Sequence, residues 1–103
     1  MKTTICAALL AATSMAVTGP ALAASKKEVS CGHQAAVVAA VRQARLDRVK
    51  EREVTKVVTA QATWPENFNT AIPLVTPWVY EMKMRDVKEQ DLAAAWNEMC
   101  LAQ

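Results

Sequence analysis

Glycine is almost missing from this chain of 103 residues, which carries only Gly19 and Gly32. Loops that cradle phosphates with backbone amides need several glycines close together, so a glycine-rich nucleotide-binding loop is excluded. The single histidine, His33, rules out multi-histidine zinc sites and leaves one imidazole for any hydrolytic triad. Charge of one sign is scarce too. Twelve Lys and Arg against ten Asp and Glu give a net charge of +2, too small an excess to follow a nucleic-acid backbone. The three cysteines, Cys6, Cys31 and Cys100, form neither a Cys-x-x-Cys redox motif nor a Cys-x-x-Cys-His haem attachment site. These absences point to a non-enzymatic protein with no cofactor and no nucleic-acid partner. What remains, 52% apolar and 21% charged, is the composition of a folded globular chain.

The first quarter of the chain reads as an address. Lys2 precedes an uncharged, Ala/Leu-rich run from Ile5 to Val17, Gly19-Pro20 closes it, and Ala21-Leu22-Ala23 supplies the small-x-small cleavage pattern. The run is shorter than the roughly 20 residues of a membrane span. Residues 1–23 are therefore expected to be a secretory signal peptide, leaving residues 24–103 as a single domain in the bacterial periplasm. Cys31 follows Lys26, Lys27 and Glu28, where a lipidation site needs small apolar residues, so no stable membrane anchor is expected after cleavage. Cys31 and Cys100 are then the only cysteines left, and an oxidising compartment favours their pairing. Closing a loop of about 70 residues removes about 4 kcal/mol of unfolded-state entropy, comparable with the whole net stability of a small domain.

Periodicity in the remaining chain is helical. Ala24 to Val29 reads as a frayed tail and Ser30 as an N-cap. Val37, Val38, Val41 and Ala44 recur at three- and four-residue spacing, predicting helix 1 from Cys31 to about Asp47. A turn over Asp47 to Lys50 leads to helix 2, about Glu51 to Ala62, although no glycine or proline marks the break and one continuous helix of about 30 residues is the alternative. Thr63-Trp64-Pro65-Glu66 reads as a helix start with Thr63 as N-cap. Trp64, Phe68, Ile72, Val75 and Val79 keep helical spacing across helix 3, and Pro73 and Pro77 predict a kink or break near Ile72 to Thr76. Asp86 and Glu89 read as a capping box for helix 4, about Val87 to Ala102, with Leu92, Ala95, Trp96, Met99 and Cys100 as its apolar stripe. The expected fold is all-α, a small four-helix or three-plus-one domain in which one disulfide joins the first and last helices. Its core is expected from Trp64, Phe68, Trp78, Trp96 and the valines.

Three constellations are candidates for function. Pro73, Pro77, Trp78 and Tyr80 place rigid and aromatic groups of the kind enriched at interface hot spots in one segment, with Trp78 and Tyr80 expected to be the most exposed of the aromatic residues. Met82, Met84 and His33 are the soft donors that an alternative, copper-binding reading uses, although Met82 and Met84 point about 200° apart on a helix. Arg42, Arg45, Arg48, Lys50, Arg52 and Lys56 form a basic stretch, but Asp47, Glu51 and Glu53 are interleaved and predict a solvated, partly self-compensated face.

A cysteine opening the first helix (Cys31), an Ala-Arg pair ending it (Ala44-Arg45), a Val-Tyr pair ending the middle helix (Val79-Tyr80) and a cysteine in the last turn (Cys100) form a pattern over most of the mature chain. In this the sequence resembles a group of small exported proteobacterial helical proteins. The resemblance implies a helical fold and no catalytic residues, and the glycine often found between that group's first two helices is absent here. In architecture the chain is also similar to acid-stress periplasmic chaperones and to small immunity proteins. The functional expectation is a protein-interaction module of inhibitor, immunity or chaperone-like type, with an unknown periplasmic protein as partner.

Overall fold

The computed structural model describes residues 25–103, so the signal-peptide reading of residues 1–23 lies outside the described residues. Helix α1 spans Lys26–Leu46 and begins five residues before the expected start. The reason is local. Ser25 Oγ accepts a hydrogen bond from the Glu28 amide at 3.1 Å, so Ser25-Lys26-Lys27-Glu28 carries the Ser-x-x-Glu start signal, and Glu28 sits favourably in the positive first turn. Ser30 and Val29 are thus helical, not a cap and a tail.

At its far end α1 stops without glycine or proline. The Arg48 amide bonds to the Arg45 carbonyl at 3.1 Å and the Val49 amide to the Ala44 carbonyl at 3.0 Å, the two bonds of a Schellman turn. That turn requires a left-handed residue, and Arg48 supplies it with φ of 61°. The turn expected at Asp47 to Lys50 is therefore present, built on an arginine where a glycine is usual.

A 3₁₀ turn, Glu51–Glu53, feeds α2, Val54–Ala60. A longer 3₁₀ segment, Glu66–Ala71, then leads into α3, Ile72–Glu81. Thr63 is not the cap here: Pro65 holds that position and makes no side-chain cap bond. Nor does α3 break between its prolines. Pro73 lies in the first turn, where its missing amide costs nothing, and the Asn69 carbonyl takes the Ile72 amide instead. Only Pro77 interrupts the helical ladder, and beside it Thr76 Oγ1 donates to the Ile72 carbonyl at 2.6 Å, satisfying a buried hydroxyl.

The expected last helix is two. α4 spans Met84–Glu89 and α5 spans Leu92–Leu101, with an extended Gln90 and the capping residue Asp91 between them. Asp86 lies inside α4 and forms no capping box with Glu89; the cap belongs to Asp91, whose Oδ1 accepts from the Ala94 amide at 3.0 Å. Asp91 caps because Leu92 to Trp96 is the strongest helix-forming run nearby, and its carboxylate meets the orphan amides there.

The four passes run up, down, up and down. Tyr80 near the end of α3 reaches Val49 just after α1, so α3 runs alongside α1 in the same direction. Arg42 reaches Val87 and Lys88, while Trp96 and Cys100 reach Gln34 and Cys31, so α4 and α5 return antiparallel to α1. The all-α four-pass fold is as expected, and Cys31 and Cys100 are disulfide-bonded, joining first and last helices. The core is mostly valine: Val37, Val38, Val41, Val54, Val58, Val75, Val79 and Val87, with Ile72, Leu92 and Trp64. Valine is a mediocre helix former, so here burial of about 1.5–3 kcal/mol gross per large side chain, not propensity, holds these helices. Phe68, Trp78 and Trp96 are only partly buried and edge the core instead of filling it.

Candidate functional site

The helical bundle has two unlike ends. At one, Arg42 Nε donates to the Val87 carbonyl at 2.8 Å and its Nη2 to the Lys88 carbonyl at 3.1 Å, closing the unpaired C-terminal carbonyls of α4. Tyr80 Oη donates to the Val49 carbonyl at 2.5 Å, and the Arg45 guanidinium lies 5.2 Å from the Tyr80 ring centroid. Partial burial pushes the Tyr80 phenol above its ordinary pKa; Arg45 pulls it down and Glu51 pushes it up, both more weakly. Trp78 packs on Trp96 with ring centroids 5.7 Å apart. Trp78 and Tyr80, expected to be the most exposed of the aromatic residues, are therefore half-buried and engaged within the bundle. The helix that carries them runs unbroken through Pro73 and Pro77.

The basic stretch is likewise part of the architecture. Arg42 and Arg45 serve the contacts just described, and Asp47 accepts from Gln43 Nε2 at 2.9 Å. Among the described residues the one ion pair is Arg85 with Asp86, so the interleaved carboxylates form no direct salt bridges with the stretch.

The soft donors are divided between the ends. His33 is not in the first turn of α1; it is half-buried and tilted against Phe68, with centroids 4.9 Å apart. Met82 and Met84 flank Lys83 at the α3–α4 corner, two to four residues past Tyr80. The thirteen residues from His33 to the end of α1 span about 20 Å, so the fold does not bring His33 to the methionines.

The disulfide end carries the uncovered apolar surface. Leu74 is 76% exposed and is flanked on α3 by exposed Pro73 and Pro77. It stands on the rim of a cavity of about 300 Å³ between α1, the 3₁₀ segment and α3, closed on the far side by Trp96 of α5. Phe68 and Val75 form its apolar floor, Gln34, Asn67 and Thr70 its polar edge, and no charged side chain lines it. Gln34 is held in place from both sides: Trp96 Nε1 donates to its Oε1 at 3.1 Å, and its own Nε2 donates to Ser30 Oγ at 3.3 Å. Two neighbouring hollows share these walls. One of about 280 Å³ shares Gln34 and Trp96 and reaches Met99, 51% exposed; one of about 340 Å³ shares Phe68 and reaches Val29, 47% exposed. Through Gln34, Trp96 and Phe68 they adjoin as one mainly apolar groove, with Lys26 at its Val29 end.

Of the four residues expected to form an interaction surface, Pro73 and Pro77 lie on this face, and Trp78 and Tyr80 serve the fold. Leu74, Val29, Met99 and Gln34 were missed. A signal for Leu74 was present: Ile72, Val75 and Val79 already form the inward stripe, so a leucine off that stripe has to face outward. Met99 belongs to the expected stripe of α5, but only Leu92 on that helix is fully buried, and Ala95 and Met99 stay exposed. No protein-family model, curated protein or solved structure matches the chain.

Proposed function

We propose that the protein is a non-enzymatic interaction module of the periplasm, exported by residues 1–23, and that it meets its partner with the apolar groove at the disulfide end. One observation carries the reading: a leucine three-quarters exposed, between two prolines, on the lip of an uncharged hollow floored by Phe68. Exposed apolar surface gathered around concave aromatic walls is the signature of a docking site, whereas single scattered apolar residues are ordinary. The Cys31–Cys100 disulfide suits an oxidising compartment, and no described helix is long and apolar enough to cross a membrane.

The test is site-specific photo-crosslinking in living cells. A photoreactive phenylalanine analogue at Leu74 is expected to give a discrete adduct that the same group at exposed Lys56, on α2, does not. Equal adducts at both positions, or none at Leu74, would refute the assignment.

A further inference from the structure

We infer that Cys100 Sγ is a site of thiol attack: a small thiol entering the hollow at the end of α5 forms a mixed disulfide with Cys100 and unties α5 from α1. The inference goes beyond the docking reading and stands without it. The two sulfurs of the disulfide differ in access. Cys31 is 1% exposed, whereas Cys100 is partly exposed and lines the hollow of about 280 Å³ with Gln34, Trp96, Met99 and Gln103. Its sulfur stands on the side of that hollow, because Cys100 Sγ lies 3.8 Å from Oε1 of Gln34, another wall residue. No acidic side chain lines the hollow, so an incoming thiolate meets no carboxylate side chain that repels it there.

Exchange begins when a thiolate, formed as the incoming thiol gives its proton to water, attacks one sulfur of the disulfide. A new S–S bond forms to Cys100 Sγ, the bond between Cys31 and Cys100 breaks, and its electron pair leaves on Cys31 Sγ, which takes a proton from water. The incoming sulfur is thus oxidised to the disulfide level and Cys31 is reduced to a thiol. Leaving-group chemistry pulls the other way, since a buried sulfur accepts the electron pair less readily than an exposed one. Access decides, because a sulfur sealed by its neighbours is not attacked until the packing opens, and Cys100 Sγ needs no opening. The consequence falls on the end of α5. Leu92 is the one fully buried residue of that helix, and Trp96, bonded to Gln34 and packed on Trp78, is its next anchor. Beyond Trp96 the bonds that tie the chain to α1 are the disulfide and a hydrogen bond from exposed Lys27 Nζ to the Gln103 main-chain oxygen. An adduct at Cys100 therefore loosens residues 97–103 and frees Met99 from the groove wall.

Reduced glutathione is the probe. The oxidised, folded protein is mixed with it, quenched in acid after a short interval, unfolded, alkylated with a maleimide at mildly acidic pH and mapped by tandem mass spectrometry. Among chains carrying one glutathione and one maleimide, glutathione is expected on Cys100 and the maleimide on Cys31, at least about tenfold over the reverse arrangement. Equal labelling of the two cysteines, or a preference for Cys31, overturns the assignment. So does the absence of any adduct at a glutathione concentration that labels the urea-unfolded chain. The untying is read on Cys31→Ser glutathionylated at Cys100, which cannot re-form the bond. Its amides over residues 97–103 are expected to exchange with deuterium at least about tenfold faster than in the wild type, with α3 unchanged. Exchange there at the wild-type rate overturns the untying.

Discussion

Replacing Arg48 by glycine should make the protein more stable. Arg48 holds φ of 61°, a conformation that costs a residue with a Cβ about 1–2 kcal/mol. Glycine removes that cost, but its unfolded chain is more mobile and returns about 0.4–1 kcal/mol. The Arg48 side chain is exposed and makes no hydrogen bond or ion pair with another described residue, so nothing else is lost. The net expectation is a gain of about 0.7 kcal/mol, or a rise in Tm of about 3–6 °C for a domain of this size. Urea unfolding followed by helical circular dichroism, with the disulfide intact, should move to a higher midpoint at constant slope. Arg48→Ala retains the Cβ and should leave the midpoint where it is, which separates relief of strain from loss of a positive charge near the end of α1. If glycine destabilises, or if alanine stabilises as much as glycine does, the left-handed turn does not end α1 in the way described.

Arg42→Ala removes two charge-assisted hydrogen bonds to the end of α4 and, discounted for partial exposure, should cost about 1–2 kcal/mol in urea unfolding; Arg42→Lys should recover little, because an ammonium cannot span both carbonyls. If lysine restores full stability, charge and not the fork matters. Tyr80 is the sole tyrosine, so absorbance at 295 nm titrates it alone, and its midpoint should lie above the ordinary value of 10.0, chiefly because burial disfavours the phenolate. With the folded pKa raised, the unfolded chain ionises first, so the Tyr80 contribution to stability is complete below pH 10 and is lost above it. Tyr80→Phe should abolish that alkaline loss, and a native midpoint at or below 10.0 would contradict the packing. Cys31→Ala with Cys100→Ala reopens a separation of 69 residues and should lower stability by about 2–4 kcal/mol; an unchanged urea midpoint would show that the reduced chain is already constrained.

Where the sequence was legible, burial was doing the selecting. Val37, Val38, Val41 and Ala44 revealed α1 because an apolar face must be covered, and the same held for Val54 and Val58 of α2. The disulfide followed from reading residues 1–23, with Cys6, as an address, which left Cys31 and Cys100 one partner each. Helix ends were less legible because several polar residues can cap. Ser25 and Ser30 both precede apolar periodicity, and only Ser25 has an acid three residues on. Asp86 with Glu89 fits the capping-box pattern as well as Asp91 fits the cap position, and the extended Gln90 that ends α4 makes Asp91 the cap of the next helix. The groove was least legible. Val29, Phe68, Leu74 and Trp96 come from three separate passes, and no local pattern in any one pass reports that they converge.

The four sequence marks, Cys31, Ala44-Arg45, Val79-Tyr80 and Cys100, divide cleanly between the two ends of the bundle. Cys31 and Cys100 tie α1 to α5 at one end; Arg45 and Tyr80 meet at the other, where the phenol fastens the chain just after the Arg48 turn. Each mark thus serves closure of the bundle, and none contributes a side chain to the cavity beside Leu74. Between the fastened ends, α3 has to satisfy two demands with ten residues: Ile72, Val75 and Val79 fill the core, while Pro73, Leu74 and Pro77 face outward. A proline in the first turn and one farther in keep that outward face rigid while exposing few amides to compete with a partner. A rigid apolar ridge costs little entropy on docking, so the same prolines that made α3 look broken in the sequence make its exposed side suited to binding.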